Sequence, residues 1–461
     1  MSQFLKEVEE NYDVAGPRIN GKQAWPILRV SFAMAHIRNL IGAPETGSGW
    51  GKKLSNLSSA LYGCGNWLGK YDYIFFTSSR KSSFKKIEGK EFDRFADPII
   101  EHIGADKVLK IETPAPSHFP LSEISEKHVV SINLPNTIAE IRGIILRGGL
   151  KIEGEDILQK IASNYDIKIN YRGILARFEK RYVTYQGLLR RYHPRAVFLI
   201  SYYDEISRVK AAKDLGIPVV EIQHGSIGAG HEAYNVFAEL DRSYFPDYML
   251  VFGERDRDVF SNDLFIDPKN VYPVGSFYID YLKNNWVADE LITKRLGGFD
   301  ARVAVTLQST VEDEFIDFIM RCAEADPKIA YVLIPRHPTT RDYGSLEKPD
   351  NVFMFEDREF YELMGYVDIH ATVYSGCAVE APSFGVPNIL VDLNGLSKMY
   401  LSSLLDATTT SYIETPVEFL AAVKRLKGIN RAEIVKANEP LIKPNYPENI
   451  EVFLDKFIKS G

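Results

Sequence analysis

Cysteine and long apolar runs are scarce in this chain. Its 461 residues include three cysteines, Cys64, Cys322 and Cys377. Because they are odd in number and widely spaced, they offer neither a disulfide framework nor a Cys-x-x-Cys metal pair, and we expect a reducing compartment. No stretch reaches about 18 uninterrupted apolar residues, so no transmembrane helix is predicted. The N-terminal MSQFLKEVEENYD lacks the apolar core of a signal peptide. We therefore expect a cytoplasmic protein, and an association with the inner face of the membrane is compatible with this.

A basic surface and a metal-ligand cluster are also missing from the sequence. The formal net charge is -7, whereas nucleic-acid binders carry a clustered basic face, so no nucleic-acid partner is expected. No group of His, Cys and Asp has zinc-site spacing, and we predict no metal. The pair Asp256 and Asp258 lies in a helical pattern, where residues two apart face different ways. The stretch ETGSGWGKK (45–53) departs from P-loop spacing and is discarded.

What the chain does have is a series of short apolar runs, rich in β-branched and aromatic residues, separated by helical patterns. Continuous apolar runs are typical of strands buried on both faces of a parallel sheet. Their alternation with helices predicts an α/β fold of doubly wound sheets. The predicted strands are 71–79, 107–113, 129–134, 196–201, 218–223, 248–253, 271–275, 302–308, 331–337, 367–373 and 388–393.

A polar helical stretch ending in Gly-Gly, residues 276–300, marks the expected domain boundary. We predict an N-terminal α/β domain over 1–285 and a C-terminal α/β domain over 286–440. The two are expected to face each other across a cleft. A final helix within 441–461 is expected to pack back on the N-terminal domain.

The first candidate site is the end of the apolar run VVEIQHGSIGAGH (219–231). Parallel sheets bind ligands at the carboxyl ends of their strands, and His224 follows such an end. Gln223 precedes it, and Gly225 lets a substrate approach the backbone closely. An imidazole there has a pKa suited to a general base. The alternative is a polar turn whose histidine bonds a neighbour. His231, beyond the glycines, is more typical of a surface residue.

Two further polar strand ends lie in the C-terminal half. Arg336 and His337 in IPRHP (334–338) are adjacent donors suited to phosphate oxygens. A surface arginine at a strand end is the plainer alternative. In TLQST (306–310), the amide and hydroxyls of Gln308, Ser309 and Thr310 are candidate donor contacts. Thr310 is explained equally well as the residue that caps the next helix.

The stretch TVYSGCAVEAPSFGVP (372–387) predicts a strand, a tight turn at Ser375 and Gly376, and a helix. Free backbone N–H groups at a helix start suit a phosphate. Glu380, about one turn into the helix, could accept hydrogen bonds from ribose hydroxyls. The alternative is an ordinary capped helix with an acidic first turn.

Taken in order, the motifs RHP, YSG and the following Glu380 resemble those of GT-B glycosyltransferases, and in particular bacterial enzymes of capsule and surface polysaccharide synthesis. The resemblance implies two Rossmann-like domains, with Arg336, His337, Ser375, Gly376 and Glu380 contacting a nucleotide-sugar donor. The His-Pro and Ser motifs are also similar to those of polysialyl-, Kdo- and glycerophosphotransferases. These use cytidine-linked donors, which are therefore slightly favoured.

The expected function is transfer of a sugar from a nucleotide-sugar donor to a glycan or lipid-linked glycan, independent of metal and of any cofactor. His224 is the expected general base, with Gln223, Gly225 and His231 beside the acceptor. Alternatives are a CDP-glycerol-type polyol-phosphate transferase and a nucleotide-sugar epimerase. A non-catalytic sugar- or nucleotide-binding protein is the alternative from another class. Few acid/base groups of the N-terminal half are obvious in the sequence, which argues against the epimerase.

Overall fold

Two parallel sheets, each flanked by helices, form the framework of the chain. The structure is a computed structural model that describes residues 2–41, 59–145, 150–225, 227–228, 231–260, 264–336, 341–355, 358–401 and 405–459. The discarded P-loop-like stretch lies outside these residues, as does His337.

The strands and helices are labelled in chain order. The strands are β1 (Arg18–Ile19), β2 (Lys22–Gln23), β3 (Tyr73–Ser78), β4 (Phe84–Ile87), β5 (Lys90–Asp93), β6 (Val108–Thr113), β7 (Val129–Ser131), β8 (Ile152–Glu153), β9 (Ala196–Leu199), β10 (Val219–Ile222), β11 (Tyr248–Val251), β12 (Val271–Pro273), β13 (Ala301–Thr306), β14 (Ile329–Ile334), β15 (Val352–Met354), β16 (Ile369–Thr372), β17 (Asn388–Val391) and β18 (Thr410–Ile413). The α-helices are α1 (Ser2–Asn11), α2 (Trp25–Ile41), α3 (Asp97–Ile103), α4 (Asn133–Ile145), α5 (Glu155–Asn164), α6 (Tyr171–Tyr192), α7 (Ile206–Lys213), α8 (Glu254–Asp258), α9 (Phe277–Asn285), α10 (Glu290–Leu296), α11 (Glu312–Ala325), α12 (Phe360–Leu363), α13 (Cys377–Glu380), α14 (Leu396–Leu401), α15 (Pro416–Leu426), α16 (Arg431–Asn438) and α17 (Tyr446–Lys459). Short 3-10 helices span Cys64–Leu68, Ala105–Lys107, Arg242–Tyr244, Pro268–Asn270 and Ala381–Phe384.

The chain divides into two compact units that are not cut at a single point. Unit 1 contains residues 1–251, 256–273 and 447–461, and unit 2 contains 252–255 and 274–446. The first sheet has the order β12-β11-β10-β9-β3-β6-β7 and the second β15-β14-β13-β16-β17-β18. All pairings within both sheets are parallel. The predicted α/β class with two Rossmann-like domains is confirmed.

The strands of both sheets are buried because their apolar side chains point to helices on either face. In β9 and β10 every residue is buried, and so is every residue of β14. Helices supply the covering layers through one apolar face each, as in α11, where Phe315, Ile319 and Cys322 are buried.

The last helix, α17, completes unit 1 although it is the last element of the chain. The ring of Phe453 lies 4.9 Å from that of Tyr272, and the ring of Phe457 lies 5.3 Å from that of Tyr248. These contacts cover the aromatic residues on β11 and β12.

Two glycines of unit 2, Gly253 and Gly275, lie against the backbone of the segment 440–443 of the same unit. A Cβ at Gly253 would lie 2.3 Å from the backbone oxygen of Pro440, and Gly275 has a φ of 90° with a Cβ that would lie 2.1 Å from the oxygen of Lys443. Only glycine fits where backbones approach this closely. Among the described residues, no helix is long and apolar enough to cross a membrane.

Candidate functional site

His224 lies at the carboxyl end of β10, in the interior of the first sheet. The strand has β9 on one side and β11 on the other, and the Gln223 N–H still donates to the Leu250 carbonyl at 2.9 Å. His224 is thus the first residue beyond the hydrogen-bonded ladder. The adjacent Gly225 is exposed, and a Cβ placed there would meet no described atom within 4 Å. The described neighbours therefore do not require glycine at this position, and the space beside Gly225 is open.

Burial is the main influence on the charge of His224. It lowers the pKa of the imidazole, and Arg80 and His231 act in the same direction. A hydrogen bond with the Ile200 backbone and the charge of Asp204 oppose it. The buried Nδ1 atom has no hydrogen-bond partner among the described residues. A neutral imidazole with an unpaired buried nitrogen is suited to take a proton from a bound hydroxyl.

His231 is half-buried and packed among tyrosines. Its ring lies 4.7 Å from that of Tyr234 and 5.8 Å from that of Tyr203. Its Nδ1 accepts a hydrogen bond from the Ala233 N–H at 3.3 Å, and burial lowers its pKa. His231 is therefore not the surface residue that is typical of a lone histidine in a loop.

Arg29, on α2, holds the segment that carries His231. Its side chain is fully buried, and Nη1 donates to the carbonyls of Glu232 at 2.8 Å and Ala233 at 3.0 Å. Nη2 donates to the carbonyl of Asn235, and Nε donates to Glu9 at 2.8 Å. The sequence reasoning missed this residue, although an arginine within the apolar run WPILRVSF was a usable signal, because buried charges are almost always paired.

Glu221, within β10, is a second buried acid/base group close to His224 in sequence. Its Oε1 accepts from the hydroxyl of Tyr234 at 2.8 Å and from the Tyr202 N–H at 3.3 Å, while Oε2 has no partner among the described residues. Burial raises the pKa of this carboxyl to about 8. It is therefore largely protonated at neutral pH. A glutamate in the run VVEI was the signal that sequence reasoning did not use.

A third group of polar side chains lies at the carboxyl ends of β6 and β7. His118 Nδ1 lies 2.8 Å from Glu112 Oε1, and His118 Nε2 lies 2.9 Å from Ser131 Oγ. The ring of Tyr62 stacks on His118 at 4.1 Å. Glu112 and Ser131 are almost fully buried. A carboxylate, an imidazole and a hydroxyl in series can move a proton along the chain of bonds.

In unit 2, the strand end of β13 and the turn after β16 are joined by hydrogen bonds. Gln308 is buried, and its Oε1 accepts from the Tyr374 N–H at 2.9 Å. Thr310 Oγ1 is hydrogen-bonded to the hydroxyl of Tyr374. Ser309 is exposed. Gln308 therefore supports the backbone of the turn, while Ser309 and Thr310 lie at its surface.

The turn itself leads into helical structure at the predicted place. Ser375 Oγ accepts from the Cys377 N–H at 3.3 Å, and Gly376 is exposed. Helix α13 is only one turn long and ends at Glu380, after which a 3-10 turn runs to a left-handed Gly385. Glu380 Oε1 accepts from the hydroxyl of Tyr361 at 2.8 Å. The carboxylate is thus oriented by a neighbouring element.

Beneath this turn, His370 joins three strands. Its Nε2 lies 2.9 Å from Thr306 Oγ1, and its Nδ1 lies 2.8 Å from Asn388 Oδ1. Asn388 in turn donates to the carbonyl of Ala378 in α13 at 2.7 Å. Burial lowers the pKa of His370 to about 4. This uncharged histidine fixes the base of the turn, and no local sequence pattern indicates its partners.

The remaining predicted donor residue with a described position is Arg336, which is exposed just beyond β14. The neighbouring strand end is close, because the Leu307 N–H donates to the Ile334 carbonyl at 3.0 Å. Unit 2 therefore brings the 308–310 segment together with the 374–377 turn and places Arg336 at the adjacent strand end. Among the residues that the structure describes, no group of three or more His, Cys, Asp or Glu could hold a metal ion.

Comparisons with known proteins concern the fold. No protein-family model and no curated protein matches the chain. The UDP-GlcNAc 2-epimerase of Methanocaldococcus jannaschii is similar with a TM-score of 0.53 and 13% identity, over 84% of this chain and 99% of that one. The UDP-GlcNAc 2-epimerase of Neisseria meningitidis, bound to UDP-GlcNAc, has a TM-score of 0.50 and 13% identity, over 84% of this chain and 99% of that one. The calicheamicin glycosyltransferase CalG4 has a TM-score of 0.49 and 13% identity, over 84% of this chain and 98% of that one. The two epimerases show the fold alone, which is the GT-B architecture of two Rossmann-like units.

Proposed function

We propose that this protein is a GT-B glycosyltransferase in which His224 is the general base. The observation that carries the proposal is the half-buried imidazole at the end of an interior parallel strand, with an exposed glycine beside it and with an Nδ1 that has no hydrogen-bond partner among the described residues. A buried nitrogen without a partner is costly, so it requires an explanation. The hydroxyl of an acceptor substrate, bound next to Gly225, would supply that partner and lose its proton to it.

The donor is proposed to bind to unit 2. Arg336 and His337 would offer hydrogen bonds to the phosphates, together with the backbone N–H groups of Ser375 and Gly376, since the Cys377 N–H already donates to Ser375 Oγ. Negative charge grows on the leaving phosphate as the glycosidic bond breaks, so donors placed there would favour the transition state. Glu380 would accept hydrogen bonds from the ribose. Gln308 supports this assignment indirectly, since it holds the turn in place.

The first experiment identifies the donor. Thermal unfolding of the full chain is measured with UDP, GDP, CDP, CMP and dTDP, and one nucleotide is expected to raise Tm selectively. The uridine nucleotide is included because a similar epimerase binds UDP-GlcNAc. If none of the five changes Tm, the assignment of a nucleotide donor is wrong.

The second experiment tests the base. With the matching donor, His224→Asn is expected to lower kcat by about 10²- to 10⁴-fold, because a positioned general base contributes that much. The matched control is His193→Asn, an exposed histidine at the left-handed end of α6, where asparagine is tolerated. Because burial lowers the pKa of His224, the acid limb of kcat/KM should have its midpoint below pH 6.5. Unchanged transfer by His224→Asn would exclude it as the base.

A nucleotide-sugar epimerase is the second candidate, and one observation favours it. Glu221 and the Glu112–His118–Ser131 chain give unit 1 more acid/base groups than the sequence suggested. Inversion of a carbon centre by removal and return of its proton incorporates solvent deuterium into the sugar, whereas transfer releases the nucleotide only when an acceptor is present. The nucleotide sugar is therefore incubated in D₂O and examined by mass spectrometry. A polyol-phosphate transferase would instead leave phosphorus in the acceptor product.

A further inference from the structure

A cavity in unit 1 opens next to the residues that surround His224. Its volume is about 340 Å³. One wall is formed by helix α2 and the other by the start of α6 and the segment between β9 and α7. The apolar lining comprises Ile27, Val30, Met34, Ile169, Ile174 and Ile206, in addition to Pro26.

The polar part of the lining lies on the segment that also contacts the two histidines. Tyr202, Tyr203 and Asp204 border the cavity. The ring of Tyr203 packs against that of His231, and residues 200–204 directly follow β9, which pairs with β10 up to Glu221, just before His224. One segment, 200–204, therefore adjoins both the cavity and the candidate base.

The size and lining of the cavity define the group that fits. A cavity of about 150 Å³ lined by aliphatic and aromatic side chains holds benzene, so 340 Å³ has room for roughly two such rings or a short alkyl chain. Seven of the twelve lining residues are apolar, which favours an apolar group over a sugar, since the hydroxyls of a sugar would lose hydrogen bonds against them. Ser31, Arg38 and Asp204 in the lining can meet a polar group at one end.

We propose that this cavity binds a compact apolar group, a short alkyl chain or a ring system, on the acceptor whose hydroxyl is presented to His224. The role as an acceptor subsite rests on the proposed transferase function. Binding of an apolar group in the cavity does not depend on that function. The binding and the acceptor role are therefore tested by separate experiments.

The binding test uses monomeric alkyl β-D-glucosides from methyl to octyl, titrated into the full chain by calorimetry. Each methylene that enters the cavity should raise the affinity by up to about fourfold, until the space is filled. Met34→Trp, at a 43% exposed position of the lining, should remove this dependence by filling the cavity. Val183→Trp, at a 49% exposed position on α6 that does not line the cavity, is the matched control and should keep it. Equal Tm values confirm that both variants fold.

Affinity that does not depend on chain length, or an equal loss in both variants, would overturn the proposal. The acceptor role has its own readout, the imidazole NMR signals of a histidine-labelled chain, assigned with His224→Asn. Octyl glucoside should shift the signals of His224 or His231, and methyl glucoside should not. If octyl glucoside binds without moving either signal, the cavity is not the acceptor subsite. Absence of a Tm response to every nucleotide would reject the transferase function while leaving the chain-length result intact.

Discussion

The buried pair of Arg29 and Glu9 allows a quantitative test of how the histidine-bearing segment is held. In Arg29→Met the side-chain volume is largely kept, but the carboxylate of Glu9 remains buried without its cation. Removing one member of a buried ion pair costs about 3–5 kcal/mol. The substitution also leaves the carbonyls of Glu232, Ala233 and Asn235 without the donor that now satisfies them. We therefore expect a loss near the upper end of that range.

The assay is urea and thermal unfolding followed by circular dichroism. For a unit of this size, 1 kcal/mol corresponds to about 2 °C in Tm, so Arg29→Met should lower the Tm of unit 1 by about 8 °C. The control is Arg172→Met, which removes an exposed arginine paired with Glu155 and should cost less than about 1 kcal/mol. The double variant Arg29→Met with Glu9→Gln removes the stranded charge and should lose less than the sum of its two parent variants.

Two results would refute this reasoning. If Arg29→Met unfolds within about 0.5 kcal/mol of the wild type, the buried guanidinium contributes no net stability. If the losses of the two single variants add in the double variant, the charges of Arg29 and Glu9 are not coupled.

Three further predictions concern protonation and backbone geometry. Burial raises the pKa of Glu221 from 4.5 to about 8, so wild-type stability falls as pH rises between these values. Glu221→Gln should remove this loss and be more stable than the wild type by about 4 kcal/mol at pH 8 in calorimetry, and an unchanged pH slope would contradict it. Burial lowers the pKa of His370 from 6.5 to about 4. The neutral histidine therefore contributes about 3 kcal/mol to the free energy of unfolding above pH 6.5, and this contribution is lost as pH falls toward 4. In His370→Gln the difference in Tm between pH 7 and pH 4.5 should shrink. In urea unfolding, Gly275→Ala should lower the free energy of unfolding at least about twice as much as Gly21→Ala. Both glycines have a positive φ, but only at Gly275 would the new Cβ press against the Lys443 oxygen. Equal losses would show that the clash relaxes.

The fold was predictable to the extent that strands are buried on both faces. The run AVFL is continuous and apolar, and the run RVAVTL is mostly apolar, because β9 and β13 lie inside their sheets. Each predicted strand is present. The missed strands are edge or isolated ones. β15 and β18 each have a single neighbour, and β4 and β5 form a separate hairpin. The sequences of β4, β5 and β18 mix polar and apolar residues, whereas β15 is an apolar run of only three residues.

The site was predictable only at the strand ends. His224 and Ser375 follow apolar runs, so their positions could be inferred from the rule for parallel sheets. Arg29 and Glu221 owe their roles to partners far away in the sequence. Lys110 is a further example, since it is 2% exposed and bonded to Asp97 at 2.5 Å. A polar residue within an apolar run signals that a partner exists, but no local pattern says which residue it is.

The position of α17 has a consequence for how the protein is made. The helix that covers Tyr248 and Tyr272 is translated only after the roughly 170 residues of unit 2 that separate it from β12. At about 5–20 residues per second, the ribosome needs about 10 to 35 s for that interval. Throughout it, the nascent unit 1 presents an aromatic face that its own chain cannot yet cover, and this is the period in which we expect chaperones to be needed.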